Sequence, residues 1–175
     1  MDKRIRIKGT KILFLTFFLT FLVYAVYHLY LLHGPRQAHY HQAASISLEQ
    51  EKLGGIKLFQ SIKTISPPST PTNDNHLFDY YTCGNGITVA IERGDEKIIR
   101  IITSNSDKSM KTAKGIGIGN EKEEVISAYG PSFYTREEFG LPIIGYIDKT
   151  NHRTLEFWLS GNNITMIRYD IDSMD

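Results

Sequence analysis

Thr154-Leu155-Glu156-Phe157-Trp158-Leu159, then Gly161-Asn162-Asn163, then Ile164-Thr165-Met166-Ile167-Arg168-Tyr169 is the stretch on which the fold is decided. Alternation puts Leu155, Phe157 and Leu159 on one side of an extended segment and Glu156, Trp158 and Ser160 on the other. The Gly-Asn-Asn turn predicts that the two segments pair as an antiparallel hairpin. Working towards the N-terminus, Ile143–Ile147 supplies another strand, with Asn151 in the turn that follows it. Further back, Asn120 is a good N-cap, Glu123 sits at the capping-box position, and the acids Glu121, Glu123 and Glu124 suit the positive end of a helix dipole. Val125, Ile126 and Tyr129 give that helix an apolar side, and Gly130-Pro131 ends it.

The same order is readable earlier in the chain. Ser47-Leu48-Glu49-Gln50 has the form of a capping box, and Leu53, Ile56, Phe59, Ile62 and Ile65 recur at three-residue intervals, which predicts a helix with a break on offer at Gly54-Gly55. A loop rich in Pro67, Pro68 and Pro71 follows. Strands are predicted over Phe78–Thr82, Ile87–Glu92 and Lys97–Thr103, with Gly84-Asn85-Gly86 and Arg93-Gly94-Asp95 as turns. Ile87, Val89 and Ile91 can be laid over Leu155, Phe157 and Leu159. The expectation is therefore an α+β domain of two tandem helix plus three-stranded antiparallel meander units, residues 47–114 and 115–175.

Gly119-Asn120-Glu121-Lys122-Glu123-Glu124-Val125, Tyr129-Gly130-Pro131 and the following strands with Tyr146, Phe157 and Ile164 resemble the SmpA/BamE-like domain of outer-membrane assembly lipoproteins. In tandem, the arrangement is similar to the β-lactamase inhibitor protein and related membrane-anchored domains. The resemblance implies the helix-and-meander fold and a protein-binding habit, and it names no target. The lipoprotein cysteine and the inhibitor's paired cysteines have no counterpart here.

Upstream of this domain an apolar run extends from Ile12 to Leu32, preceded by Lys3, Arg4, Arg6, Lys8 and Lys11. As a helix it is ~31 Å long, close to the ~30 Å hydrocarbon core of a bilayer. Its Leu, Ile, Phe and Val residues favour insertion by about 0.3 to 0.6 kcal/mol each, enough to carry Thr16, Thr20 and His28. The basic cluster on its N-terminal side predicts a cytoplasmic tail, residues 1–11, a transmembrane helix, 12–32, a juxtamembrane linker, 33–46, and an extracytoplasmic domain. A cleaved signal peptide competes, but its apolar region is usually ~7 to 15 residues, and Ala43-Ala44 does not make a good cleavage site.

Charge and cysteine content narrow the classes further. From Gln37 onward the chain carries fourteen basic and eighteen acidic residues, a balance that argues against a nucleic-acid partner. Cys83 is the single cysteine, so no intramolecular disulfide forms, and it reads as a small buried hydrophobe rather than a nucleophile. Gly115-Ile116-Gly117-Ile118-Gly119-Asn120 lacks the third glycine of a dinucleotide loop and the Lys-Ser/Thr of a P-loop, so it reads as an extended approach to the helix. His28, His33, His39 and His41 crowd together, but structural zinc takes four fixed ligands, and no metal or cofactor is expected. Asp148 with His152, and Asp79 with Cys83, are near in sequence without forming a recognised catalytic motif.

These readings converge on a single-pass, non-catalytic protein-interaction module of a bacterial envelope. Its candidate binding residues are Trp158, Phe133, Tyr134, Arg136 and Phe139, aromatic and Arg side chains of the kind that interfaces use. Trp158 has two readings, an interface anchor or a side chain buried between the halves. The alternatives of another class are a hydrolase acting on envelope polymers and an accessory subunit of a membrane complex.

Overall fold

The computed structural model describes residues 3–65, 71–74, 77–83, 86–104 and 109–174, and of residues 3–11, 30–38, 41 and 42 the backbone alone. The predicted loop at Pro67-Pro68 and the turn residues Gly84-Asn85 lie outside the described residues. The chain forms two compact units, Met1–Ala38 and His39–Asp175. Helix α1 (Lys3–Gln42) contains the window Ile12–Leu29, of mean hydropathy 2.1, long and apolar enough to cross a membrane as an anchor or a signal sequence would. Within it the Thr16 and Thr20 hydroxyls donate to the carbonyls of Leu13 and Phe17 at 2.9 Å, so their polarity is absorbed by the helix itself.

The second unit is built on one antiparallel sheet. Its strands are β1 (Asn73–Asp74), β2 (Phe78–Thr82), β3 (Ile87–Glu92), β4 (Ile98–Thr103), β5 (Tyr134–Glu138), β6 (Leu141–Asp148), β7 (Arg153–Ser160) and β8 (Asn163–Ile171). Across the sheet they run β1-β2-β3-β4-β8-β7-β6-β5. The helix α2 (Lys122–Tyr129) joins β4 to β5 along the chain.

This overturns the expectation of two tandem helix plus three-stranded units. The two meanders meet where β4 pairs with β8, in the register Arg100↔Asp170, Ile101↔Tyr169 and Ile102↔Arg168, and so share one sheet. The second meander also gains a fourth strand, β5, which pairs with β6. Most decisively, no α-helix forms between Ser47 and Ile65. Gly54 and Gly55 take φ of +59° and +84°, and Leu53 and Ile56 exchange backbone hydrogen bonds of 2.9 and 3.0 Å, folding the segment back on itself. A Cβ at Gly54 would stand 2.5 Å from the Met110 sulfur, so close packing also requires the glycine. One 3₁₀ turn, Ile62–Ile65, is the helical remnant. Three-residue spacing of apolar side chains lies close to the helical period, yet an irregular strap meets it equally well: Leu53, Ile56 and Ile62 reach the core while Phe59 stays exposed.

The core lies on the sheet face that carries Val89, Ile101, Leu155, Phe157, Tyr146 and Tyr169, covered by α2 and by the strap from Leu48 to Ile62. Helix α2 begins one residue later than predicted. Asn120 Oδ1 accepts the Gly117 N–H at 2.8 Å instead of capping the helix, and the Glu124 carboxylate accepts the Glu121 N–H at 2.7 Å. At its other end Tyr146 donates to the Gly130 carbonyl at 2.9 Å, and burial pushes the Tyr146 hydroxyl up to about 12. The glycine-rich segment before α2 is an extended approach: Gly119 N–H donates to Ile164 and Ile164 N–H to Asn120, both at 2.9 Å.

Glu51 ties the strap to α2. Its buried carboxylate accepts from Tyr129 Oη at 2.7 Å and from the Ala113 N–H at 2.6 Å. Burial first, then the charge of Glu51, holds the Tyr129 phenol far above its ordinary value. Just upstream, the chain is pinned to the end of β6. Ile46 N–H donates to the Ile147 carbonyl and Leu48 N–H to the Asp148 carboxylate, both at 2.8 Å. Arg153 and Tyr169 reach the Leu48 carbonyl from the neighbouring strands, at 3.2 and 3.0 Å.

Candidate interaction face

The opposite face of the sheet is built from residues one step out of phase with the core. Tyr134 on β5, Glu156 on β7 and Arg168 on β8 share one row of the register, and Arg100 on β4 and Asp170 on β8 share the next. Arg136 lies two residues along β5 from Tyr134, so alternation delivers three guanidiniums, those of Arg100, Arg136 and Arg168, and the carboxylates of Glu156 and Asp170 to the same surface. Glu156 has 0 % exposure. A buried carboxylate is tolerable only when it is paired and hydrogen-bonded, and here Arg136 binds it through two nitrogens at 2.8 and 3.0 Å while Arg168 binds it at 2.6 Å. Tyr134 donates its hydroxyl to the same carboxylate.

The network continues outward on both sides. Arg136 also meets Glu138 at 2.6 Å, and Arg168 leads to Asp170, which Arg100 grips at 2.7 Å. Arg100 in turn donates to the Met174 carbonyl, fastening the C-terminal segment. Burial alone would lower the Arg136 pKa, but the carboxylates of Glu156 and Glu138 outweigh it and push it above its ordinary value.

Trp158 lies in this field of charge. It is 2 % exposed, with the guanidinium carbons of Arg168 and Arg136 at 4.6 and 5.5 Å from its ring centre. Such cation–π contacts contribute about 0.5 to 2 kcal/mol each, the more so when water is excluded. The indole is therefore buried on the charged face rather than in the main core.

The other residues singled out from the sequence fall in different places. Phe133 is half-buried and packs on the core, its ring edge-on to Tyr146. Tyr134 and Arg136 point into the charged face just described. Phe139 is 96 % exposed, at the tip of the β5–β6 hairpin, and takes φ of +51° beside Gly140 at +77°. Two successive positive φ values make the tight turn that antiparallel strands prefer, for which Asn-Gly is the usual choice; a Phe there is strained.

The sequence-adjacent pairs do not form. Asp148 accepts from Leu48, from the Asn151 N–H at 3.0 Å and from the Asn151 amide at 2.8 Å. Burial opposes its ionisation, but these donors prevail and lower its pKa. His152 instead meets Asp172 at 2.8 Å. Asp79 accepts from Arg93, and burial pushes the Cys83 thiol up, which makes it a poorer nucleophile. Among the described residues no three His, Cys, Asp or Glu side chains converge to hold a metal ion. His39 stacks on Tyr134, ring planes 5° apart and centres 5.8 Å apart.

Glu156, Arg168, Asp170 and Arg100 were not singled out from the sequence, although a signal is present. Glu156 shares its side of β7 with Trp158, and an acid in mid-strand between aromatic residues marks a place where a basic partner must be found. Which basic residue is supplied depends on β8 and β5, not on β7.

No protein-family model matches the chain, and no curated protein is detectably similar to it in sequence. Two solved structures are similar in part. One is an extracellular protein containing a SCP domain from Bacillus anthracis, at 10 % identity and a TM-score of 0.46 over 66 % of this chain and 44 % of that one. The other is a DUF4309 family protein from Bacillus subtilis, at 16 % identity and a TM-score of 0.39 over 62 % of this chain and 74 % of that one. The chain spans under half the length of the first, and likenesses of this size carry no family or activity over to it.

Proposed function

We propose that this chain is a single-pass, membrane-anchored, extracytoplasmic protein-interaction module of a bacterial cell envelope, acting by binding and not by catalysis. The observation that carries the reading is Phe139: a large aromatic side chain, 96 % exposed, held at a strained positive φ on the tip of the hairpin that ends the sheet. Neither the strain nor the exposure helps the domain fold, and both suit a side chain that is kept to anchor a partner. In this reading Phe139 enters the partner, while Arg136, Tyr134 and Trp158 stiffen β5 from behind and Phe133 seats its start on the core. The apolar window of α1 and the basic residues before it support the anchor and a cytoplasmic N-terminus.

Two measurements test the proposal. A photo-crosslinking amino acid at position 139 in intact cells is expected to give a discrete adduct that the same probe at exposed Lys57 does not give. Protease added outside spheroplasts is expected to remove residues 39–175 and spare the tail. Indistinguishable adducts from the two positions, or a domain protected from external protease, would overturn it.

A further inference from the structure

The chain that leads into the second unit is held on the sheet by two unlike attachments, and the difference assigns it a moving part. Ser45–Glu51 is built in. Ser45 pairs with Ile147, Ile46 and Leu48 donate backbone hydrogen bonds to the end of β6, Leu48 sits in the main core, and Glu51 is locked by Tyr129 and Ala113. His39–Ala43, immediately before it, has its own backbone satisfied within the helix, the Ala43 N–H donating to the His39 carbonyl at 3.1 Å. It reaches the sheet through side chains. Ala43 and Tyr40 pack with Tyr134 and Ile147 in a small cluster separate from the main core. His39 lies flat on the Tyr134 ring, Lys149 Nζ stands 6.0 Å from the Tyr40 ring centre, and the Tyr40 hydroxyl bonds Asp172, which also holds His152.

We propose that His39–Ala43 is a detachable cover, hinged at Ala44, that leaves the charged face while Ser45–Glu51 stays in place. Lifting it exposes Tyr134 and Ile147 next to the Arg136–Glu156 pair and breaks no backbone bond of the sheet. The hydrogen bonds that Glu156 takes from Tyr134, Arg136 and Arg168 survive the opening, because none of these three residues belongs to the cover. Local opening of a segment attached through side chains, with no strand pairing to break, is governed by its own free energy, not by that of the whole domain. The cover thus makes the face beside Trp158 a conditionally open surface. Only the identity of what then binds there rests on the interaction-module reading; the opening does not.

The test uses the full chain in lipid nanodiscs, with Cys83→Ser removing the native thiol. Thiol labelling is followed at Ala43→Cys, on the buried side of the cover, and at Val89→Cys, in the main core. Ala43→Cys is expected to react at least about tenfold faster than Val89→Cys, at a rate that hardly responds to mild urea, as local openings do. Tyr40→Ala is expected to speed Ala43→Cys by about tenfold again and leave Val89→Cys unchanged. Equal rates with the same urea dependence at the two sites would mean that the cover parts only when the domain unfolds, and would overturn the proposal. So would an Ala43→Cys rate indifferent to Tyr40→Ala in a folded protein. If Tyr40→Ala does not fold, the urea dependence in the parent background decides alone. Partner adducts at Phe139 play no part in these readouts, so the cover and the interaction reading can fail separately.

Discussion

Glu156 and Phe157 are neighbours on β7, both with 0 % exposure, and they are buried by opposite chemistry. Phe157 lies among aliphatic and aromatic side chains, with Tyr129 at 5.6 Å between ring centres. Glu156 lies among Arg136, Arg168 and Tyr134. A sheet can therefore lose water from both faces while only one of them is hydrophobic. The apolar face needs volume filled; the charged face needs every partner in place.

That contrast can be broken most forcefully at Glu156. Glu156→Ala removes the buried carboxylate that Arg136 and Arg168 share, leaving a surplus positive charge between them, and is expected to cost about 3 to 5 kcal/mol in urea denaturation. Replacing Glu156, Arg136 and Arg168 together by Leu and Met is expected to cost far less than the single change, because no buried charge is then left alone: Asp170 keeps Arg100, and Glu138, which loses Arg136, is partly exposed. A triple variant as unstable as the single one would mean that the ion pairs themselves hold the face. Phe157→Ala opens a cavity on the other face and is expected to cost a similar ~3 to 5 kcal/mol, with no relief from changes at the charged residues.

Asp148 sharpens the comparison with a pH dependence. Its pKa is lowered in the folded protein by the N–H donors of Leu48 and Asn151, against the opposing effect of burial. A depressed carboxylate contributes stability that is present above the unfolded-state value near 4 and is lost as pH falls through the folded one. Asp148→Asn is thus expected to cost about 1 to 2 kcal/mol at pH 7, with the gap to the parent protein closing as pH falls below about 4. A gap that stays constant down to pH 2 would refute the assignment. The smallest effect is expected at the exposed hairpin. Phe139→Asn removes a bulky residue from positive φ and should stabilise the domain by about 0.5 to 1 kcal/mol in thermal denaturation while it abolishes the crosslinked adduct.

Strands over Phe78–Thr82 and Ile87–Glu92 have the bounds expected from alternation, and those at Ile98, Arg153 and Asn163 begin within one residue of it. Each of these elements is specified by its own side chains and turns. The helix expected between Ser47 and Ile65 fails because the apolar residues recur at three, a spacing shared by a helix and by an irregular strap. Two adjacent glycines at positive φ settle the choice, one of them packed against Met110. Strand β5 is illegible in the sequence for a different reason. Tyr134-Thr135-Arg136-Glu137-Glu138 has no apolar alternation, because the side it buries is the charged one.

The candidate site was half legible. Trp158, Tyr134 and Arg136 belong together in space, and composition alone marked them out as unusual. Their partners were hidden by distance along the chain: Arg100 meets Asp170 seventy positions away, and Arg168 meets Glu156 across a hairpin whose register includes a bulge after Trp158. Exposure separates Phe139 from the other four, and nothing in the residue types does.

By itself the sequence determined what is local: a charge-free apolar helix preceded by basic residues, one acidic-leaning domain after it, the alternating strands, and the acids at the start of α2. Tertiary structure decided the rest. Pairing of β4 with β8 merged two meanders into one sheet, and only that merger brings Arg100 to Asp170. The seating of Ser45–Glu51 on β6 and β7 took away the need for a first helix. A strand's own side chains set which residues share a face, but what that face is buried against is set by contacts from distant segments, whose cost in chain entropy is met only when the whole sheet forms.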